Sequence, residues 1–195
     1  MAFTGYVQVY TGNGKGKTTA AIGLALRALG AGKKVFFLQF MKKAVYSEHK
    51  ILPSLSPNLT FKALGKPFFV VQEGAMPEAE LAKWRQQAVI FPPGEPPQEY
   101  VDLLAEGLEL ARQAVSGGEY QVVILDELVV ALHFGLVTWP AVRSLLAARD
   151  PGVELVLTGR GASDELIRAA DLVTEMREIK HYYTQGVLAR RGIEN

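Results

Sequence analysis

The stretch Tyr10–Ala21, "YTGNGKGKTTAA", limits the possible folds more than any other part of this chain. Gly16, Lys17 and Thr18 form the end of a phosphate loop, G-x-x-x-x-G-K-[ST]. The first glycine of that pattern is absent, because Thr11 stands in its place, while Gly12, Gly14 and a second lysine, Lys15, lie inside the loop. The β-rich run "YVQVY" (Tyr6–Tyr10) precedes the loop, and the Ala/Leu-rich "TTAAIGLALRALGAG" after it predicts a helix closed by glycine. In a strand–turn–helix context, glycines let successive N–H groups face phosphate oxygens, and the helix start adds the positive end of its dipole. Lys17 would supply a mobile positive charge, and the Thr18 hydroxyl a contact for Mg²⁺.

A strand feeding such a loop requires a parallel sheet, and the remaining pattern supplies one. "KVFFLQF" (Lys34–Phe40), "QVVILDE" (Gln121–Glu127) and "ELVLTG" (Glu154–Gly159) are apolar runs suited to strands buried on both faces. "NLTFKAL" is a shorter strand candidate, and "LVTEMREIK" is expected to be the last strand. Helix periodicity over Glu99–Val115 puts Val101, Leu104, Ala105, Leu108, Ala111 and Val115 on one face. Further helices are expected near Thr138 and from Ser163. The segment from Gly65 to Tyr100 holds six of the ten prolines, which predicts loop and short helix over a sheet edge. The predicted fold class is therefore α/β, a mostly parallel sheet flanked by helices. With 195 residues and no evident linker or repeat, residues 1–195 are expected to form one domain.

Composition narrows the function classes. The formal net charge is +1 and the basic residues are scattered, so nothing favours a nucleic-acid partner. The densest basic pair outside the loop, Lys42-Lys43, reads as a solvated strand end. There is no cysteine, which excludes disulfides and thiolate chemistry and suits a reducing cytoplasm. No run of about 18 apolar residues occurs, so no membrane helix is expected.

Asp126 and Glu127 stand where the carboxyl edge of a parallel sheet gathers its ligands. Together with Thr18 they predict a site for a magnesium–nucleoside triphosphate. Three chemistries fit that site: hydrolysis, with Glu127 orienting water and Arg160 of "LTGRG" near the γ-phosphate; phosphoryl transfer to an acceptor; or attack elsewhere on the nucleotide. His49, His133 and His181 have no metal-ligand spacing and read as structural or surface residues. Phe68-Phe69 and Trp84 read as local core under a loop, unless a large flat ligand lies beside the nucleotide.

Taken together, "TGNGKGKTTAA", "VFFLQFMK", "VVILDEL", "LTGRG" and "ADLVTEMREIKHYYTQGVLARRGIE" resemble the phosphate-loop ATP:corrinoid adenosyltransferases over most of the chain. In the tail, the resemblance rests on Lys180-His181, Gly186 and Gly192-Ile193-Glu194. The resemblance implies a RecA-like sheet and attack by the Co(I) of a corrinoid, cob(I)alamin or a precursor, on the 5′ carbon of ATP. Triphosphate would then be the leaving group, and the nucleotide would be bound in the reverse sense relative to phosphate-loop hydrolases. It also implies that Gly12, Asn13, Gly14, Lys15, Gly16, Lys17 and Thr18 hold ATP, with Lys17 and Arg160 serving catalysis. Thr18 and Glu127 would contact Mg²⁺ (or Mn²⁺), with Asp126 as an alternative or supporting ligand.

Phe68 and Phe69 are the candidates for the aromatic residues that such enzymes place against cobalt, although the tryptophan of that region is missing here. A homodimer and an electron donor, a flavoprotein reductase, are further implications. Only Met1 to Gly5 precede the first strand, so either the middle segment around "FPPGEPP" closes the site or the site is more open.

Overall fold

The computed structural model describes residues 3–43, 45–75, 81–82 and 88–194, without the side chain of Phe69. Six strands form one parallel sheet: β1 (Val7–Thr11), β2 (Val35–Phe40), β3 (Leu59–Leu64), β6 (Val122–Asp126), β7 (Glu154–Thr158) and β8 (Leu172–Glu175). Their order is β3-β2-β6-β7-β1-β8, so β7 separates the loop-bearing β1 from the acidic end of β6. Two further strands, β4 (Phe69–Gln72) and β5 (Ala88–Phe91), pair in parallel with each other. Among the described residues the helices flanking the sheet are α1 (Lys17–Gly30), α2 (Gln98–Ser116), α3 (Leu128–His133), α4 (Trp139–Ala147) and α5 (Asp164–Ala169). This α/β architecture, a parallel sheet flanked by helices, is that of phosphate-loop nucleotide-binding proteins.

Alternation along the buried strands divides the core between the two sheet faces. Val35 and Phe37 of β2 pack with Val122, Ile124 and Val156 under Ala21, Ala25 and Ala28 of α1. Alanine at each of those positions lets the helix axis approach the sheet, which places the helix start close to the strand ends. Phe36, Leu38 and Phe40 face the other way, against Val123, Leu125, Leu155 and Leu157 and the α2 residues Leu104, Ala111 and Val115. Each large side chain buried in this way contributes about 1.5–3 kcal/mol.

The structure revises several local expectations. The inward face of α2 is Tyr100, Leu104, Gly107, Ala111 and Ala114-Val115, and Ala105 is exposed. Glycine is required at 107, because a Cβ there would stand 2.6 Å from the Phe40 ring and 2.7 Å from Leu64. The middle segment, expected as loop and short helix, contains β4 and β5, with Val70 and Phe91 in the core. Its prolines flank the four-residue runs "FVVQ" and "AVIF" rather than interrupt them, so the β-branched and aromatic residues prevail. The last strand stops at Glu175 instead of running to Lys180, because its neighbour β1 ends at Thr11 and turns into the loop. Helix α3 follows Glu127 directly and had no sequence signal beyond a short apolar run. Trp84 lies outside the described residues.

Candidate nucleotide site at the carboxyl edge of the sheet

The site begins where β1 gives way to α1. Thr11 is still a strand residue, and the left-handed conformation of the turn falls one position later, at Gly12 (φ 94°). That shift accounts for the missing first glycine of the motif. Gly12 and Gly14 are also needed for space: a Cβ would lie 2.4 Å and 2.7 Å, respectively, from the Met176 carbonyl oxygen. The Gly14 N–H donates to that carbonyl at 2.7 Å, so residues just past β8 brace the loop from outside. Gly16 adopts φ 116° immediately before the helix.

Lys17, the first helical residue, is 8% exposed, and its Nζ donates to the carbonyls of Gly12 (2.6 Å) and Gly14 (2.8 Å). Burial lowers its pKa and the nearby Arg160 charge lowers it further, against the pull of Glu127 and Asp126. The lysine is thus held by its own loop, in a position from which it can turn toward an anion.

Across the sheet edge, the register sets Gln39 beside Asp126. Asp126 is fully buried and accepts four side chains. The Thr18 hydroxyl donates at 2.9 Å and the Thr158 hydroxyl at 2.6 Å to Oδ1, while Gln39 Nε2 (3.0 Å) and Lys42 Nζ (2.8 Å) donate to Oδ2. Both carboxylate oxygens are therefore engaged by protein. Glu127 takes the left-handed conformation (φ 64°) and lines the cavity described below, and its N–H donates to Thr158 Oγ1 at 3.1 Å. Burial and then the Asp126 charge push the Glu127 carboxyl up to about 7, against Lys42, Lys17 and Arg160.

One cavity of about 540 Å³ collects Gly14, Lys15, Gly16, Lys17, Thr18, Glu127 and Arg160. Arg160 is exposed on the turn after β7, beyond Gly159, whose Cβ would meet the Val130 nitrogen at 2.6 Å. Gly12, Asn13 and Asp126 do not line this cavity: Asn13 is exposed at the loop tip and Asp126 lies behind Thr18. Its other walls are Tyr46, Ser47 and Glu48, and the tail residues His181, Gly192, Ile193 and Glu194. The segment "FPPGEPP", a candidate for closure, contributes no lining residue. The tail is folded on itself instead: the Tyr182 hydroxyl bonds Glu194, and Arg190 Nη2 pairs with the same carboxylate at 3.1 Å.

A second cavity of about 180 Å³ adjoins the first through Tyr46, which lines both. Phe68 faces it together with Met41, Val45 and Pro67, and its ring meets Tyr100 edge-on with centroids 5.7 Å apart. The Phe69 side chain lies outside the described residues.

Sequence reasoning missed Lys42 and Gln39, and it read His49 only as a structural or surface residue. Lys42 is not a solvated strand end: its side chain is 14% exposed and is ion-paired with Asp126. Gln39 is fully buried in an otherwise apolar strand, and that lone polar residue in "VFFLQF" was the available signal. His49 is buried; its Nε2 bonds Gln39 Oε1, and burial lowers its pKa, so the ring is neutral and backs the Gln39 amide. Among the described residues no group of three or more His, Cys, Asp or Glu could hold a metal ion. The donors at hand are a hydroxyl and a carboxylate, a sparse set of hard oxygens suited to Mg²⁺ when substrate phosphates complete the shell.

Comparison with known proteins agrees with this chemistry. The sequence profile of the family "ATP:corrinoid adenosyltransferase BtuR/CobO/CobP" matches residues 3–195. A corrinoid adenosyltransferase of Pseudomonas aeruginosa is 31% identical over 191 residues, covering 97% of this chain and 83% of the relative. The corrinoid adenosyltransferase CobA of Salmonella typhimurium is 32% identical over 191 residues, covering 97% and 85%. One from Escherichia coli strain K12 is 31% identical over the same length.

Proposed function

We propose that this chain, which belongs to the ATP:corrinoid adenosyltransferase family, transfers the 5′-deoxyadenosyl group of ATP to a Co(I) corrinoid. The observation that carries the reading is the adjacency of two unlike cavities. One gathers Lys15, Lys17, Thr18, Glu127 and Arg160; the other is faced by Phe68, and the two meet at Tyr46. A triphosphate suits the first, and an apolar face of a corrinoid suits the second.

In the reaction the cobalt lone pair of the substrate attacks C5′, the Co–C bond forms, and the C5′–O5′ bond breaks with its electrons leaving on triphosphate. The protein's principal task is to stabilise that leaving charge. Lys17, released from the Gly12 and Gly14 carbonyls, and Lys15 supply the ammonium groups, and Arg160 approaches from the opposite wall. The N–H groups at the start of α1 add fixed dipoles. Gly12 and Asn13 shape the outside of the loop, and Gly14 and Gly16 admit phosphate close to the backbone.

Thr18 and Glu127 are the residues that would hold Mg²⁺ (or Mn²⁺), because both line the cavity, whereas Asp126 is committed to four donors and orients Thr18 from behind. Such an ion, when bound, neutralises phosphate charge. The reverse placement of ATP, with C5′ toward Tyr46 and the second cavity, completes the reading. Phe68 would face the corrinoid, and Phe69 remains the second aromatic candidate for that role.

The reading extends to residues 1–195 as one catalytic domain, supported by a single six-stranded sheet whose strands run from residue 7 to 175. It extends also to a cytoplasmic homodimer served by a flavoprotein reductase. Support for the dimer comes from the open edge strand β8, where Leu172 and Val173 are exposed. The reductase follows from the chemistry, since Co(I) has to be supplied. Among the described residues no helix is long and apolar enough to cross a membrane.

The reading is tested by anaerobic incubation with chemically reduced cobalamin and ATP, followed by absorbance. Growth of an adenosyl–cobalt spectrum that requires both enzyme and ATP is expected, and ATP consumption unaffected by the corrinoid would overturn it.

A further inference from the structure

Lys42 is given no task by the reaction scheme above, yet the chain is bent to deliver it to the site. Met41 turns the backbone with φ 60°, a conformation that a residue with a side chain rarely adopts. On the other side Gly65 closes in, and a Cβ there would stand 2.3 Å from the Lys42 carbonyl carbon. The ammonium so placed lines the nucleotide cavity, 3.0 Å from Thr18 Oγ1 and 2.8 Å from Asp126 Oδ2. Thr18 is the loop hydroxyl assigned above to the metal, and Asp126 is the buried carboxylate directly behind it.

We infer that the Lys42 ammonium is the resident cation of the metal position in the nucleotide-free protein, and that a divalent ion enters only by displacing it toward the phosphates. The inference rests on the assignment of Thr18 to the metal. Asp126 is fully buried, and a carboxylate in that position needs a positive partner in every state of the enzyme. With no metal, Lys42 supplies it. A divalent ion at Thr18 would stand within a few ångströms of the ammonium, and like charges at that separation repel strongly in a partly buried site.

The lysine stem is flexible, and the cavity that would take the triphosphate is the space open to its head group. Lys42 then becomes a third lysine on the leaving group, and its departure from Asp126 is coupled to loading of the metal.

The test is Mn²⁺ binding to the nucleotide-free full-length protein, read from the electron paramagnetic resonance signal of free Mn²⁺. Lys42→Met should bind Mn²⁺ at least about tenfold more tightly than the wild type. Adding Thr18→Val to it should remove the gain. Equal or weaker binding by Lys42→Met would overturn the inference. A Lys42→Met protein that folds only when Mn²⁺ is present, by circular dichroism, supports it. If that variant folds under neither condition, Lys42→Gln, which keeps a donor for Asp126, is judged by the same comparison. Thr18→Val assayed with Mn²⁺ and ATP checks the underlying assignment: if metal binding there is unimpaired, that assignment is at fault. If it is impaired while Lys42→Met shows no gain, only the role given to Lys42 falls.

Discussion

Around the larger cavity, Thr18, Gln39, Lys42 and Thr158 all donate to one buried carboxylate, and glycines fit the loop against Met176 with no room for a Cβ. Around the smaller cavity Phe68, Met41, Val45 and Pro67 form the apolar wall, with Tyr46, Lys43 and Lys66 completing the lining, and the polar contacts are few and long, such as the Tyr100 hydroxyl on the Phe68 carbonyl at 3.3 Å. The first region is organised by directional bonds. The second is shaped by apolar contact, which adapts more readily to a large ligand. The difference matches the two tasks: a triphosphate must be gripped in one geometry to leave, whereas a corrinoid face requires shape and dryness.

The strongest way to break this contrast is Lys17→Ala. We expect kcat/KM for ATP to fall by about 10³-fold, with the melting temperature little changed, because the lysine bonds only loop carbonyls. Near-normal turnover would remove the loop from the account.

Asp126→Ala should act on stability instead, costing about 3–5 kcal/mol in urea unfolding, because it strands the buried Lys42 ammonium and three donors. A loss below about 1 kcal/mol would mean that the cluster is not the prebuilt half of the site.

Glu127, next in sequence, should behave oppositely. Its carboxyl is raised from 4.5 to about 7, so the folded protein favours the protonated form. The associated stability is present in full below about pH 4.5 and is lost as the pH rises to about 7. A wild-type melting temperature that falls across that window relative to Glu127→Gln would sharpen the distinction between the two carboxylates; parallel profiles would erase it.

The smallest effect is expected at Phe68→Ala. ATP affinity should change by less than about twofold, while stability drops by about 1–2 kcal/mol and the formation of four-coordinate Co(II) corrinoid weakens. An unaltered Co(II) spectrum would detach Phe68 from the corrinoid.

What the sequence made legible follows the same division. The loop, α1, the apolar strands and the acidic end of β6 carry strong local signals: glycine spacing, alanine-rich periodicity, and unbroken Val/Ile/Leu runs. Lys42 has no such signal, because its burial arises from the turn at Met41 and from strand register, and both are tertiary. His49 is meaningful only once Gln39 is seen beside Asp126. The β4–β5 pair escaped notice because prolines on either side looked like loop, and pairing between segments 19 residues apart, Phe69 with Ala88, leaves no local period. The tail's place on the cavity wall was equally hidden, although its motif supported the family resemblance.

The bond of ATP that breaks distinguishes adenosyl transfer from phosphoryl chemistry. Phosphorus-31 NMR of a single turnover, with enzyme, Mg²⁺, ATP and one equivalent of Co(I) cobalamin, reads this directly. Intact inorganic triphosphate, equal in amount to the adenosylated corrinoid formed, is the predicted spectrum. ADP and orthophosphate in its place would contradict attack at carbon and return the site to phosphoryl chemistry.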